Sequence, residues 1–117
     1  GVQTCALPIY TSGTQMGTLC RAWVNFSGST GTIAASFNVA SITKNSTGDY
    51  TINFTNGMGD SNYSVVYGGQ YDTSGGAAFA VFGIARVAGA QASGSVRIIT
   101  GNTTLTDIPI VCVSILR

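Results

Sequence analysis

The chain has 117 residues, enough for one domain with a core of its own. Only 8% of residues are charged, there is no Glu and no His, and the formal net charge is +1. That balance excludes a helical bundle with solvated Glu/Lys faces, and it removes any electrostatic basis for capturing nucleic acid or an anionic membrane.

In chain order, the first segment is set aside. Residues 1–9, GVQTCALPI, are what a common short-read sequencing adaptor encodes in one frame (GGA GTT CAG ACG TGT GCT CTT CCG ATC). The bland alternative is a short apolar strand stopped by Pro8. We exclude the segment from fold reasoning as a fused scar on a metagenomic fragment. The expectation is that residues 10–117 form a single domain, the C-terminal piece of a longer protein whose upstream part is missing.

From there the punctuation is Gly, Asn, Asp and Ser at short spacing, which reads as all-β. Residues 19–26 form a first strand that ends at the turn 27–31. Residues 32–39 form a second, with Ala35, Phe37 and Val39 on one face. Residues 40–44 continue it after a bend or begin a third. Residues 45–49 are a hairpin turn, because Asn and Gly tolerate the positive φ it needs. Lys44 and Asp49 flank this turn and could pair across it.

Residues 50–56 alternate with a period of two, with Tyr50, Ile52 and Phe54 inward and Thr51, Asn53 and Thr55 outward. Residues 57–62 are a loop and 63–67 a strand. Residues 68–76, GGQYDTSGG, form the longest irregular stretch. Residues 77–87 are a long apolar strand, 88–94 a small-residue loop, and 95–100 and 105–116 the last two strands. Pro109 cannot donate to a ladder, so it belongs at a strand start, an edge or a bulge. Seven or eight short antiparallel strands imply a β-sandwich or jelly-roll-like domain with no substantial helix.

Setting aside Cys5, Cys20 and Cys112 lie on the first and last strands. Each suits a small buried hydrophobe, and a bridge between them is an open alternative. No C-x-x-C pair and no His leaves no zinc spacing. No apolar run reaches the ~18 residues needed to cross a bilayer, so no membrane insertion is expected. Five N-x-S/T sequons, at Asn25, Asn45, Asn53, Asn62 and Asn102, follow from the abundance of Asn, Ser and Thr, and we read none as glycosylated.

Catalysis would have to rest on Asp49, Asp60, Asp72 and Asp107. Asp49 and Asp60 read as turn residues that hydrogen-bond their own backbone. Asp107 has no partner nearby in sequence. Asp60 and Asp72 could converge for glycoside hydrolysis, which needs two carboxylates a few ångströms apart, but nothing else supports that chemistry. No catalytic residue, cofactor or metal is therefore expected. Trp23, the single Trp, reads as core or interface packing before a sugar platform. Tyr67, Gln70, Tyr71 and Asp72, in and beside the Gly-rich stretch, have the amphipathic, adaptable composition of a binding loop. They are the candidate receptor contacts.

One resemblance goes further. Residues 20–64 carry A-W-V-N-F (22–26), S-F-N-V (36–39), S-I-T (41–43), G-D-Y-T-I-N-F-T (48–55) and D-x-N-Y (60–63), in that order. The chain also ends on the alternating strand I-V-C-V-S-I-L-R (110–117). This resembles the C-terminal domain of bacteriophage tail-fibre and other tail proteins. The resemblance implies a virion component, extracellular after release, that trimerises at the fibre tip and contacts a host-surface glycan or protein. It also implies that Ala/Gly-rich strand residues such as 77–90 pack between subunits. The rival reading is a carbohydrate-binding or adhesin module of a secreted bacterial protein.

Overall fold

A computed structural model of the protein describes residues 10–11, 14–15, 19–71 and 81–117. The expectations for residues 1–9, for Asp72 and for the 77–80 part of the long apolar strand lie outside these residues. Strands β1 (Tyr10–Thr11) and β2 (Thr14–Gln15) form a short hairpin. They are followed by β3 (Cys20–Phe26), β4 (Ile33–Phe37), β5 (Val39–Ser46), β6 (Asp49–Phe54), β7 (Ser64–Gln70), β8 (Val81–Ile84), β9 (Gln91–Ala92), β10 (Ser95–Gly101) and β11 (Ile110–Leu116). The nine strands from β3 onward build two antiparallel sheets, and the domain is all-β.

Sheet I is ordered β4-β3-β11-β7, and sheet II β5-β6-β10-β8 with β9 alongside β10. The first and last long strands are neighbours: β3 and β11 lie side by side from Phe26↔Val111 to Cys20↔Leu116. The interior is filled from both sheets by every second residue, as the pleat requires. Sheet I contributes Ala22, Val24, Phe26, Val111, Val113 and Ile115, and sheet II Tyr50, Ile52, Phe54, Val96 and Ile98. Aromatic rings bridge the layers edge to face. Phe26 meets Tyr50 at 5.2 Å between centroids, and Phe54 meets Tyr63 at 5.9 Å.

The chain crosses from sheet I to sheet II at Asn38, which takes a left-handed φ of 55°. Asn tolerates this conformation because its short amide can hydrogen-bond locally. Here the amide is fully used. Nδ2 donates to the carbonyls of Arg21 and Asn56, each at 3.0 Å, and Oδ1 accepts from the Asn56 N–H at 2.8 Å. This corner breaks the side-chain phase. Ala35, Phe37 and Val39 do not share an inner face: Ala35 and Phe37 are exposed, while Val39 starts the next strand and packs on the core.

Three further expectations change. The ladder of β7 runs on through Gly68, Gly69 and Gln70 against Cys112, Val111 and Ile110, so these residues are strand. The last strand begins at Ile110, directly after Pro109, and Leu105 makes only an isolated bridge to Gly101. Cys20 and Cys112 are free thiols, but Cys20 is exposed and Cys112 half-buried, so neither is the buried hydrophobe expected. They pair with Leu116 and Asn25 respectively. That puts them more than ~10 Å apart along the ladder, beyond the reach of a disulfide.

Gly48 makes the tight β5–β6 turn with a φ of 65°, and a Cβ there would sit 2.5 Å from the Thr100 carbonyl oxygen and 2.6 Å from the Thr106 nitrogen. Gly89 has a similar φ of 73° with nothing within 4 Å. Gly89→Ala is expected to cost about 1 kcal/mol, from left-handed strain alone. Gly48→Ala adds displacement of packed backbone and should cost at least about 3 kcal/mol in urea denaturation. Equal costs would show that the crossing loop yields freely around Gly48.

Candidate functional site

The candidate contacts divide between the two sides of the β7 strand. Tyr67 faces inward and stacks on Phe82, with centroids 6.0 Å apart and planes at 18°. Its hydroxyl is buried without a hydrogen-bond partner among the described residues, and burial pushes its pKa up. Tyr71 packs against the core. Gln70, paired with Ile110, is exposed. Asp72 lies outside the described residues. Among the described members, only Gln70 is freely offered to a ligand.

The three described carboxylates are each committed to a cation. Asp49, expected to serve its own turn, is buried and receives Arg97 in a fork, Nε at 2.8 Å and Nη2 at 2.7 Å. Arg97 and a further hydrogen bond from Asn45 hold its carboxyl below the ordinary value, against burial. Asp60 does cap its own turn, accepting the Asn62 N–H at 2.7 Å, and also pairs with Arg117 at 2.8 Å.

Asp107 is the partner Lys44 takes in place of Asp49, at 2.6 Å. Its other oxygen accepts the Gly48 N–H at 2.8 Å and lies 2.7 Å from the Tyr50 hydroxyl. Burial alone would raise the Asp107 carboxyl, but Lys44, Gly48 and Tyr50 together bring it below its usual range. Burial, then the adjacent Asp107 carboxylate, pushes the Tyr50 hydroxyl well above its usual range. Tyr63, whose hydroxyl reaches the carbonyls of Ala92 and Ser95 at 2.8 and 3.0 Å, is pushed up to about 12, chiefly by burial. These groups join loops to sheets, and no described carboxylate is left facing an open cleft. Among the described residues, no three His, Cys, Asp or Glu side chains converge as metal ligands.

The outer faces of the two sheets differ sharply in chemistry. Sheet II presents rows Ser41–Asn53–Ser95 and Thr43–Thr51–Arg97. These groups satisfy one another. Asn53 Nδ2 reaches Ser41 Oγ at 3.1 Å and Thr43 Oγ1 at 3.0 Å, and Asn45 Nδ2 reaches Thr51 Oγ1 at 2.9 Å. Sheet I presents Phe37–Trp23–Ser114–Val66 as one continuous row across all four strands, beside Ala35–Asn25–Cys112–Gly68. Phe37 is 55% exposed, Val66 49% and Trp23 39%. Trp23 is therefore not a core residue of the single chain.

Phe37, Val66 and Ile110 escape a reading by sequence because each sits in an apolar run whose inner and outer members look alike. Only the Asn38 corner and the register assign the faces. Comparison with known proteins found no matching family model, no similar curated protein and no similar solved structure.

The depressed carboxyls give stability a definite acid dependence. The unfolded chain takes up protons near the ordinary value of 3.8 while folded Asp49 and Asp107 stay ionised. Their contribution is complete above that value and is lost as pH falls through it toward the lower folded values. Denaturation midpoints should therefore be flat from about pH 6 to 8 and fall steeply below about pH 4. Asp107→Asn should lower the plateau by about 2 kcal/mol and flatten part of the acid slope. An unchanged slope would show that the Asp107 carboxylate does not report on folding.

Proposed function

We propose that this chain is a non-enzymatic structural domain, the C-terminal tip and trimerisation domain of a phage tail fibre or related tail protein. The observation that carries the reading is where the resembling residues fall. A-W-V-N-F lies on β3, and the chain's final strand runs beside it as β11. S-F-N-V spans the Asn38 corner. G-D-Y supplies the tight Gly48 turn, the Asp49–Arg97 fork and the Tyr50 hydroxyl that meets Asp107. D-x-N-Y supplies the Asp60 turn and the Tyr63 ring against Phe54. Each piece has a job in the frame, and the pattern is that of a scaffold signature.

A scaffold signature fits a virion part whose work is to assemble and endure. Contact with a host-surface glycan or protein then belongs to the end of the sandwich where β7 finishes at Gln70. Light scattering on the 117-residue chain tests the assembly. A stable mass of three chains across a dilution series is expected, and a folded monomer at every concentration would reject it.

A carbohydrate-binding or adhesin module is the second reading, favoured by one observation: exposed Phe37 and Trp23 lie side by side in register. Aromatic faces of this kind stack on sugar rings. In that case the chain would be monomeric, and Trp23 fluorescence would titrate with an oligosaccharide.

A further inference from the structure

We infer that the outer face of sheet I is the surface through which copies of this chain pack on one another, an inference that rests on the assembly reading above. The face spans β4, β3, β11 and β7. Its outward positions are Ala35 and Phe37, Trp23 and Asn25, Ile110, Cys112 and Ser114, and Val66, Gly68 and Gln70. None of these carries a charge. Arg21, at the β3 bulge, and Arg117, held by Asp60, stand at the margin.

Exposure of this kind is unusual in a chain that uses its other sheet face so economically. With three seven-residue strands and one of five, at ~3.3 Å per residue and ~4.8 Å apart, the face measures roughly 400 Å² in outline. A large apolar patch of this size marks an interaction site.

Two features identify the occupant as a copy of the same chain. A face without charge meets no like-charge repulsion from itself, and it offers nothing to steer a charged partner. Its relief also has two unlike rows, as a contact that closes a ring of three needs. The row of Phe37, Trp23 and Val66 runs next to the smaller residues Ala35, Cys112 and Gly68, so the large row of one copy can meet the small row of the next around the ring. Sheet II offers no such relief, since its hydroxyl and amide groups are bonded among themselves. The inference moves the subunit contact from the expected Ala/Gly-rich residues 77–90 to the sheet face.

The test combines substitution with protection of a native thiol. Phe37→Glu and Val66→Glu each place a charge at an exposed position where the monomer fold has no need of the apolar group. Thr43→Glu, on sheet II, is the control. Light scattering should give a trimer for the parent chain and Thr43→Glu, and a monomer with unchanged near-ultraviolet dichroism for the two sheet I variants. In the parent trimer, alkylation mapped by peptide mass should spare Cys112 at least tenfold relative to the monomeric variants. A parent trimer that survives both sheet I substitutions, or leaves Cys112 as reactive as in a monomer, overturns the choice of face while leaving the trimer standing. A monomeric parent chain overturns both. If a variant misfolds, Cys112 protection in the parent chain decides alone.

Discussion

Asp107 is the point on which the arrangement of the two sheets depends. It sits in the loop that carries the chain from β10 in sheet II to β11 in sheet I. One oxygen takes the Gly48 N–H from the β5–β6 turn, and the same oxygen meets the Tyr50 hydroxyl. The other takes Lys44, whose ammonium also reaches the Ser29 carbonyl in the β3–β4 turn. Tyr50 is fully buried and also lies 2.8 Å from the Gly28 carbonyl. A single carboxylate thus joins a hairpin of each sheet to the crossing between them. Hydrogen bonds to a charged acceptor are worth roughly twice neutral ones, and removing the acceptor would strand several donors at once.

The scarcity of charge gives that economy its meaning. Of nine charged side chains in the sequence, six are consumed in three ion pairs that tie loop to strand, strand to strand and chain end to loop. Little charge remains to cover a surface. Sheet II solves the problem with Ser, Thr and Asn in mutual hydrogen bonds. Sheet I leaves Trp23, Phe37, Val66 and Ile110 partly in solvent, and the proposed contact between copies rests on that exposure. The framework role of the resembling segment and the bare face of sheet I are the two observations on which the proposed assembly of copies rests.

Much of the frame was legible in the residues. The period-two alternation of Tyr50, Ile52 and Phe54 identifies its inward face without ambiguity, whereas Pro109 left open whether the last strand starts before or after it. The ion pairs were not legible. Lys44 and Asp107 stand 63 positions apart, and Asp49 and Arg97 stand 48 apart, so the local Lys44–Asp49 pair was the natural but incorrect choice. Register decides such partners, and register is a property of the folded sheet. The site suffered most at Asn38, where one left-handed residue reverses the phase of a run read as a single strand. The Gly-rich stretch after Tyr67 misled in another way. Gly68 and Gly69 look like loop residues, yet they continue a ladder where a Cβ on Gly69 would lie 2.4 Å from the Ile110 carbonyl oxygen.

Trp23 offers the most direct test of the central claim, that the sheet I face is covered in the working protein. It is the only tryptophan in the chain and lies in the middle of that face. Acrylamide quenching of its fluorescence, followed from high protein concentration down through dissociation, reports its cover without any substitution. The account predicts a blue-shifted, weakly quenched emission at high concentration that becomes red-shifted and strongly quenched on dilution. Strong quenching at every concentration, with the protein folded and assembled throughout, would contradict it.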